Sequence, residues 1–244
     1  MMKNKTELTP FPFDEVLLQV QSDTPRKFLF WGESAGEISS YVAGGLAGRG
    51  MEVIVLDGAN RFNSYTVSSF ARRALIPPEK LLKSIRIARA FTCYQMATLM
   101  GEQLASLLKR EGTTELLQRP WVILLGPLTT FLDEDVPERE VRPLFERSLR
   151  KIEAMASEGV PFLSFQSSAF SENASFPSSA KGRMGEWRDS KRVYLTRRLF
   201  QFSNKAWRIG LGEEGPKMIL EKDFTSNIVE KCKLQNEKCN FEKD

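Results

Sequence analysis

The chain has 244 residues, 41% hydrophobic and 27% charged, with a formal net charge of +4, proportions that suit a soluble globular protein with one sizeable core. It contains no histidine, which removes the commonest general base, the Ser–His and Cys–His nucleophile pairs and most transition-metal sites together. Three cysteines without a CxxC spacing (Cys93, Cys232, Cys239) argue for a reducing compartment and against a disulfide framework or zinc site. No apolar window of about 18 residues exists and MMKNKTELTPFPF has no apolar h-region, so a cytoplasmic chain with no membrane partner and no secretory signal is expected.

In chain order, residues 1–12 read as a flexible lead. KFLFW (27–31) and EVIVLD (52–57) are short apolar runs bounded by turn formers, the pattern of buried strands. Between them ISSYVAGGLAGRG predicts a small-residue helix with a glycine stop; each internal glycine lowers helix propensity by about 1 kcal/mol relative to alanine. Residues 64–74 and 79–84 predict helices on either side of IPP, and SIRIARA (84–90) a strand. Residues 94–109 place Met96, Leu99, Met100, Leu104, Leu107 and Leu108 at helical spacing, as residues 137–157 do Val141, Leu144, Phe145, Leu149, Ile152 and Met155. WVILLG (121–126) and VPFLSF (160–165) are further strands.

SSAFSENASFPSSAKGRMG is a Ser-rich loop too long for an ordinary connection. After it RVYLTRRLF and KAWRIGLG alternate and predict a hairpin, with KMILEKDF a third strand. The expected fold is α/β, a mainly parallel twisted sheet flanked by helices with antiparallel strands at one edge. The core domain would span 13–225, followed by a charged tail over 226–244.

Charge is uneven. Residues 181–208 hold nine Lys/Arg and two Asp/Glu, a local +7 that leaves −3 for the rest. Such a zone suggests a polyanion partner, although solvated strand faces are often basic too. Phe170, Phe176, Lys181 and Arg183 in the loop combine aromatics with cations, as single-strand binders do. Arg188, Lys191, Arg192 and Arg197 extend the zone; on a strand, Arg192, Tyr194 and Thr196 would share one face and Val193, Leu195 and Arg197 the other.

FLFWGESAGEISSYVAGGLAGRG (28–50) has the layout of a strand, a glycine-bearing turn and a helix whose first N–H groups cradle phosphate. The residues at issue are Gly32, Glu33, Ser34, Gly36, Glu37, Ser39 and Ser40. No lysine is present. Asp57 and Gln166 stand at strand ends, where parallel sheets put ligands; each also suits a turn former or a satisfier of backbone groups.

The order of these elements resembles the RecA-like ATPases, P-loop-NTPase folds, and specifically the RadA/RadB recombinases and their KaiC-type relatives. FDEVLLQVQSDTPRKFLFWGE (13–33) resembles the family's lead-in and first strand, VIVLDGANRF (53–62) its second, and SIRIARAFTCYQMATLM (84–100) its "ARAxxxxxQ" strand and helix. WVILLGPLTTFL (121–132), GVPFLSFQS (159–167) and RVYLTRRL are similar to the second nucleotide strand, the strand before the DNA-contacting loop and the strand beyond it. The resemblance implies that Gln166 is the residue sensing the γ-phosphate.

It also implies what is missing. Against GxxxxGK[ST], GESAGEIS is one residue short, aligning Glu37 with the lysine and Ile38 with the metal-binding hydroxyl. A carboxylate there repels phosphate, and only Ser39 or Ser40 remains to reach a metal. Gly126 stands for the Mg-associated Asp, Ala59 for the catalytic Glu, and Gln19-Val20-Gln21 for a three-glycine turn. The expectation is a non-hydrolysing pseudo-ATPase with no catalytic residues, cofactor or metal, acting as an accessory or structural factor in DNA recombination or repair. Its partners would be single- or double-stranded DNA, a RecA-like paralogue, or itself as a homo-oligomer, with FPF (11–13) a candidate anchor. Two alternatives stand beside it: a divergent ATPase that binds ATP and Mg²⁺ weakly through a lysine from elsewhere, and a pure protein-interaction module. Cys232 and Cys239 share a helical face without further metal ligands.

Overall fold

The computed structural model describes residues 27–32, 35–110, 119–167, 192–212 and 215–223. β1 (Lys27–Gly32) is buried at every position, with a strand on each edge and an apolar helical layer on each face. α1 (Ala35–Gly48) follows, and its small residues let α2 (Ser64–Arg73) approach closely. A Cβ on Gly44 or Gly48 would lie 3.4 or 3.1 Å from the Phe70 ring, so the glycines that weaken this helix make room for its neighbour. β2 (Val53–Asp57), α3 (Pro78–Lys83) and β3 (Ile85–Arg89) complete the first half.

The helix predicted over 94–109 forms as α4 (Cys93–Thr98), a π turn (Leu99–Gln103) and α5 (Leu104–Arg110). β4 (Trp121–Leu125), α6 (Glu138–Ser157), β5 (Phe162–Gln166), α7 (Val193–Phe202), β6 (Lys205–Gly212) and β7 (Gly215–Asp223) follow. The seven strands lie in the order β3-β2-β4-β5-β1-β6-β7. Every pairing is parallel except β6 with β7. The chain is therefore an α/β protein with a mostly parallel sheet, an antiparallel edge and flanking helices.

Strict alternation along the central strands feeds two apolar layers. Phe28, Phe30, Val53, Val55, Ile123 and Leu125 face α1, α2 and α3. Leu29, Trp31, Ile54, Leu56, Val122 and Leu124 face α4, α5, α6 and α7.

One element differs from its expected type. RVYLTRRLF is not a strand of a hairpin but the body of α7, and the antiparallel pair is β6 with β7. Leu195, Leu199 and Phe202 are buried at spacings of four and three, and this helical stripe outweighs the short alternation over 192–197. The sheet place beside β1 belongs to KAWRIGLG, which runs parallel to it. Among the described residues, no helix is long and apolar enough to cross a membrane.

Candidate functional site

Six parallel strands end on one rim, the place where open α/β sheets bind ligands. β1 arrives there through Gly32, at φ +136, where a Cβ would stand 2.0 Å from the Ile209 carbonyl oxygen. Only glycine allows β1 to leave the sheet so close to β6. Glu33 and Ser34 lie outside the described residues.

At the start of α1, Gly36 is buried and Glu37 is exposed in the first turn, where a carboxylate complements the positive end of the helix. Neither candidate hydroxyl faces outward. Ser39 Oγ donates to the Gly36 carbonyl at 2.6 Å, and Ser40 Oγ accepts the Asn63 N–H at 3.0 Å. Both residues are fully buried.

Asp57 is fully buried at the end of β2. Its carboxylate accepts the N–H of Arg61 at 3.2 Å and of Phe62 at 3.0 Å, and pairs with Arg89 Nε at 3.5 Å. These contacts fold residues 58–62 back over the strand, with Asn60 at φ 53 in the left-handed region that asparagine tolerates. The Phe62 ring thereby enters the core.

The end of β4 closes against this turn. Gly58 N–H donates to Leu125 O at 2.9 Å, and a Cβ on Gly126, at φ +60, would lie 2.5 Å from Ala59 Cβ. Gln166 closes the next position: its Oε1 accepts the Leu128 N–H and its Nε2 donates to Ser167 O, both at 3.1 Å. Gly36, Ser40, Asp57, Gly126 and Gln166 thus gather on one rim, and the polar atoms of Ser40, Asp57 and Gln166 bond to backbone.

The basic zone divides. Arg192 is buried at the start of α7, its guanidinium donating to the carbonyls of Phe131 (2.6 Å), Asp133 and Val136. It braces the 131–136 segment and faces no polyanion. Arg197 is exposed, while Arg198 pairs with Glu146 at 2.8 Å. Phe170, Phe176, Lys181, Arg183, Arg188 and Lys191 lie outside the described residues, as do the FPF lead and both C-terminal cysteines.

Sequence reasoning missed Arg61, whose exposed side chain passes the helix start: a Cβ on Gly36 would lie 3.5 Å from Arg61 Cδ and 3.8 Å from Ser167 Oγ. No pattern marks it, since it arrives from the turn that Asp57 folds. It also missed a polar chain beside β1, in which Trp31 Nε1 donates to Glu221 Oε2 at 2.9 Å and Arg208 Nε lies 3.2 Å from Oε1. Burial pushes the Glu221 carboxyl above its usual value, against the pull of Trp31 and Arg208. Burial likewise raises the Cys93 thiol, which lies in the apolar core.

No protein-family model matches the chain, and no curated protein matches it.

Proposed function

We propose that the chain is a RecA-like protein resembling RadB-type recombinase paralogues, which has given up nucleotide hydrolysis and serves as an accessory or structural factor in DNA recombination or repair. One observation carries this reading: the polar groups aligned with the nucleotide chemistry are committed to the protein's own backbone. The Asp57 carboxylate holds two N–H groups, Ser39 and Ser40 are buried in bonds, and Gln166 fastens the turn after β4. Glu37, aligned with the lysine, presents a negative charge at the helix start. The element order from β1 to β5 supports the resemblance, and the exposed Arg197 is consistent with a polyanion partner.

The test has two arms. Purified protein is expected to show no ATP turnover and no thermal stabilisation by ATP with Mg²⁺, and to bind DNA with an affinity that falls steeply as salt rises. Turnover with stabilisation overturns the reading. Lys181→Glu with Arg183→Glu tests the loop side of the basic zone.

A second reading is favoured by Arg61. A guanidinium beside the first turn of α1 supplies the cation that the loop lacks, and helix starts with adjacent cations bind phosphate. Under this reading the chain binds nucleotide without hydrolysing it, and Arg61→Ala abolishes an ATP-dependent rise in Tm.

A further inference from the structure

Residues 58–92 hold seven Lys/Arg (Arg61, Arg72, Arg73, Lys80, Lys83, Arg86, Arg89) against the single Glu79, a local +6, and all seven cations are exposed. This second basic stretch lies around β3 and its flanking helices and is separate in sequence from the one over 181–208. Among the described residues, it also carries most of the exposed large apolar groups. Tyr65 is 82% exposed and Phe91 66%, with Tyr94 just beyond at 48%. Grouped exposure of this kind marks an interaction surface.

The aromatics are mounted, not merely exposed. Tyr65 sits in the first turn of α2, its N–H held by the Asn63 side chain at 2.9 Å. Phe91 follows β3, its N–H held by Gln95 Oε1 at 2.8 Å, while Thr92 Oγ1 accepts the Gln95 N–H at 3.2 Å. This reciprocal cap fixes the backbone at an exposed phenyl ring. Tyr94 donates its hydroxyl to Glu140 at 2.5 Å. Arg89 donates to Phe62 O at 3.5 Å, which ties the β3 end carrying Phe91 to the turn carrying Arg61 and leading to Tyr65. Aromatic and cationic groups therefore share the rim at the ends of β2 and β3.

We propose that this rim, built from Tyr65, Phe91, Tyr94 and Arg61, binds single-stranded nucleic acid, the aromatic rings stacking on unpaired bases and Arg61 contacting phosphate. Stacking faces beside exposed cations match an unpaired polyanion: paired bases offer no free faces, and an acidic peptide offers no ring to stack. The site rests on the nucleic-acid reading above but places the contact at the ends of β2 and β3 instead of on the basic stretch over 181–208.

The experiment is fluorescence anisotropy with thymidine and uridine oligonucleotides of about 20 nucleotides, longer than one binding site. Variants are Tyr65→Ala with Phe91→Ala, the aromatic-preserving Tyr65→Phe with Phe91→Tyr, Arg61→Gln, and Lys181→Glu with Arg183→Glu. The alanine pair is expected to raise Kd at least about 30-fold with unchanged Tm, the aromatic-preserving pair to restore it, and Arg61→Gln to lower the salt slope by about 0.7. A stronger response to one sugar identifies the strand as DNA or RNA. Wild-type protein that binds neither oligonucleotide overturns both this site and the nucleic-acid reading. Binding that survives the alanine pair but is lost in Lys181→Glu/Arg183→Glu overturns the rim alone. Competition by poly-glutamate as effective as by oligonucleotide also overturns it, reassigning the rim to an acidic protein.

Discussion

Asp57→Ala separates a latch from a ligand. If the carboxylate were kept for a metal or nucleotide, deleting a buried charge would leave the empty protein as stable or make it more so. As a latch, its removal orphans the Phe62 N–H, which is buried with its ring; a charge-assisted bond of this kind is worth about 1.5–3 kcal/mol. The Arg61 N–H is part-exposed and finds water, so its bond contributes about 1 kcal/mol. Arg89, 46% exposed, adds at most about 1 kcal/mol through its pairing at 3.5 Å. The sum is about 3–5 kcal/mol, a fall in Tm of roughly 10 °C for a chain of this size. Asp57→Asn keeps one acceptor and is expected to lose about half as much. Urea denaturation followed by circular dichroism, without ligand, measures both. An alanine variant within about 1 kcal/mol of wild type, or more stable, would refute the latch.

Leu75 stands at φ 57 and is 92% exposed, a left-handed apolar residue where the α2 end favours glycine. Leu75→Gly is therefore expected to raise the urea midpoint by about 1 kcal/mol equivalent; a loss of stability would show that the side chain is held by contacts. Arg192→Lys cannot reproduce the fork to the three carbonyls, and is expected to lower stability by about 2–3 kcal/mol while leaving oligonucleotide affinity of the folded protein unchanged. Burial, and next the Lys27 charge, pull Lys222 down to about 8. Unfolded, the ammonium keeps its proton to about 10.4, so between these values the unfolded chain binds more protons and the Lys222 contribution to stability grows as pH rises. The unfolding free energy of Lys222→Met relative to wild type should thus fall from about pH 8 to about pH 10, and a flat difference would show that the folded state does not lower this group.

The strands were legible because KFLFW, VIVLD, WVILL and FLSF are unbroken apolar runs, and interior parallel strands need apolar residues on both faces. α7 was not, because the residues over 192–197 satisfy the alternating period while 195, 199 and 202 satisfy the helical one, and the longer stripe together with the place KAWRIGLG takes beside β1 decides. At the rim, the identities of Asp57, Ser40 and Gln166 were visible but their partners were not. Ser40 meets Asn63 and Gln166 meets Leu128 across 23 and 38 residues of chain, distances over which one sequence carries no pairing signal. Arg192 misled for the same reason: inside a basic run it reads as surface, and the carbonyl that buries it lies 61 residues earlier. The +6 stretch around β3 went unseen because a single net charge for the remainder of the chain cancelled it against acidic segments elsewhere.

The closure of the rim is one coupled packing arrangement. Gly126 and Ala59, aligned with the metal-associated aspartate and the catalytic glutamate of the proposed family, touch each other: any Cβ on Gly126 would meet Ala59 Cβ at 2.5 Å and Thr129 Oγ1 at 2.6 Å. An aspartate at 126 therefore requires the 58–62 turn to move outward. That movement pulls Phe62 from the core and breaks the N–H bonds that Asp57 accepts. Gly126 is itself held by its N–H bond to Phe165 O at 2.7 Å. The closed turn therefore does not accommodate an aspartate at 126 by itself. Among the described residues, a ligand at this rim has to use groups outside the closed patch, and the exposed ones there include Arg61, Tyr65, Phe91 and Tyr94.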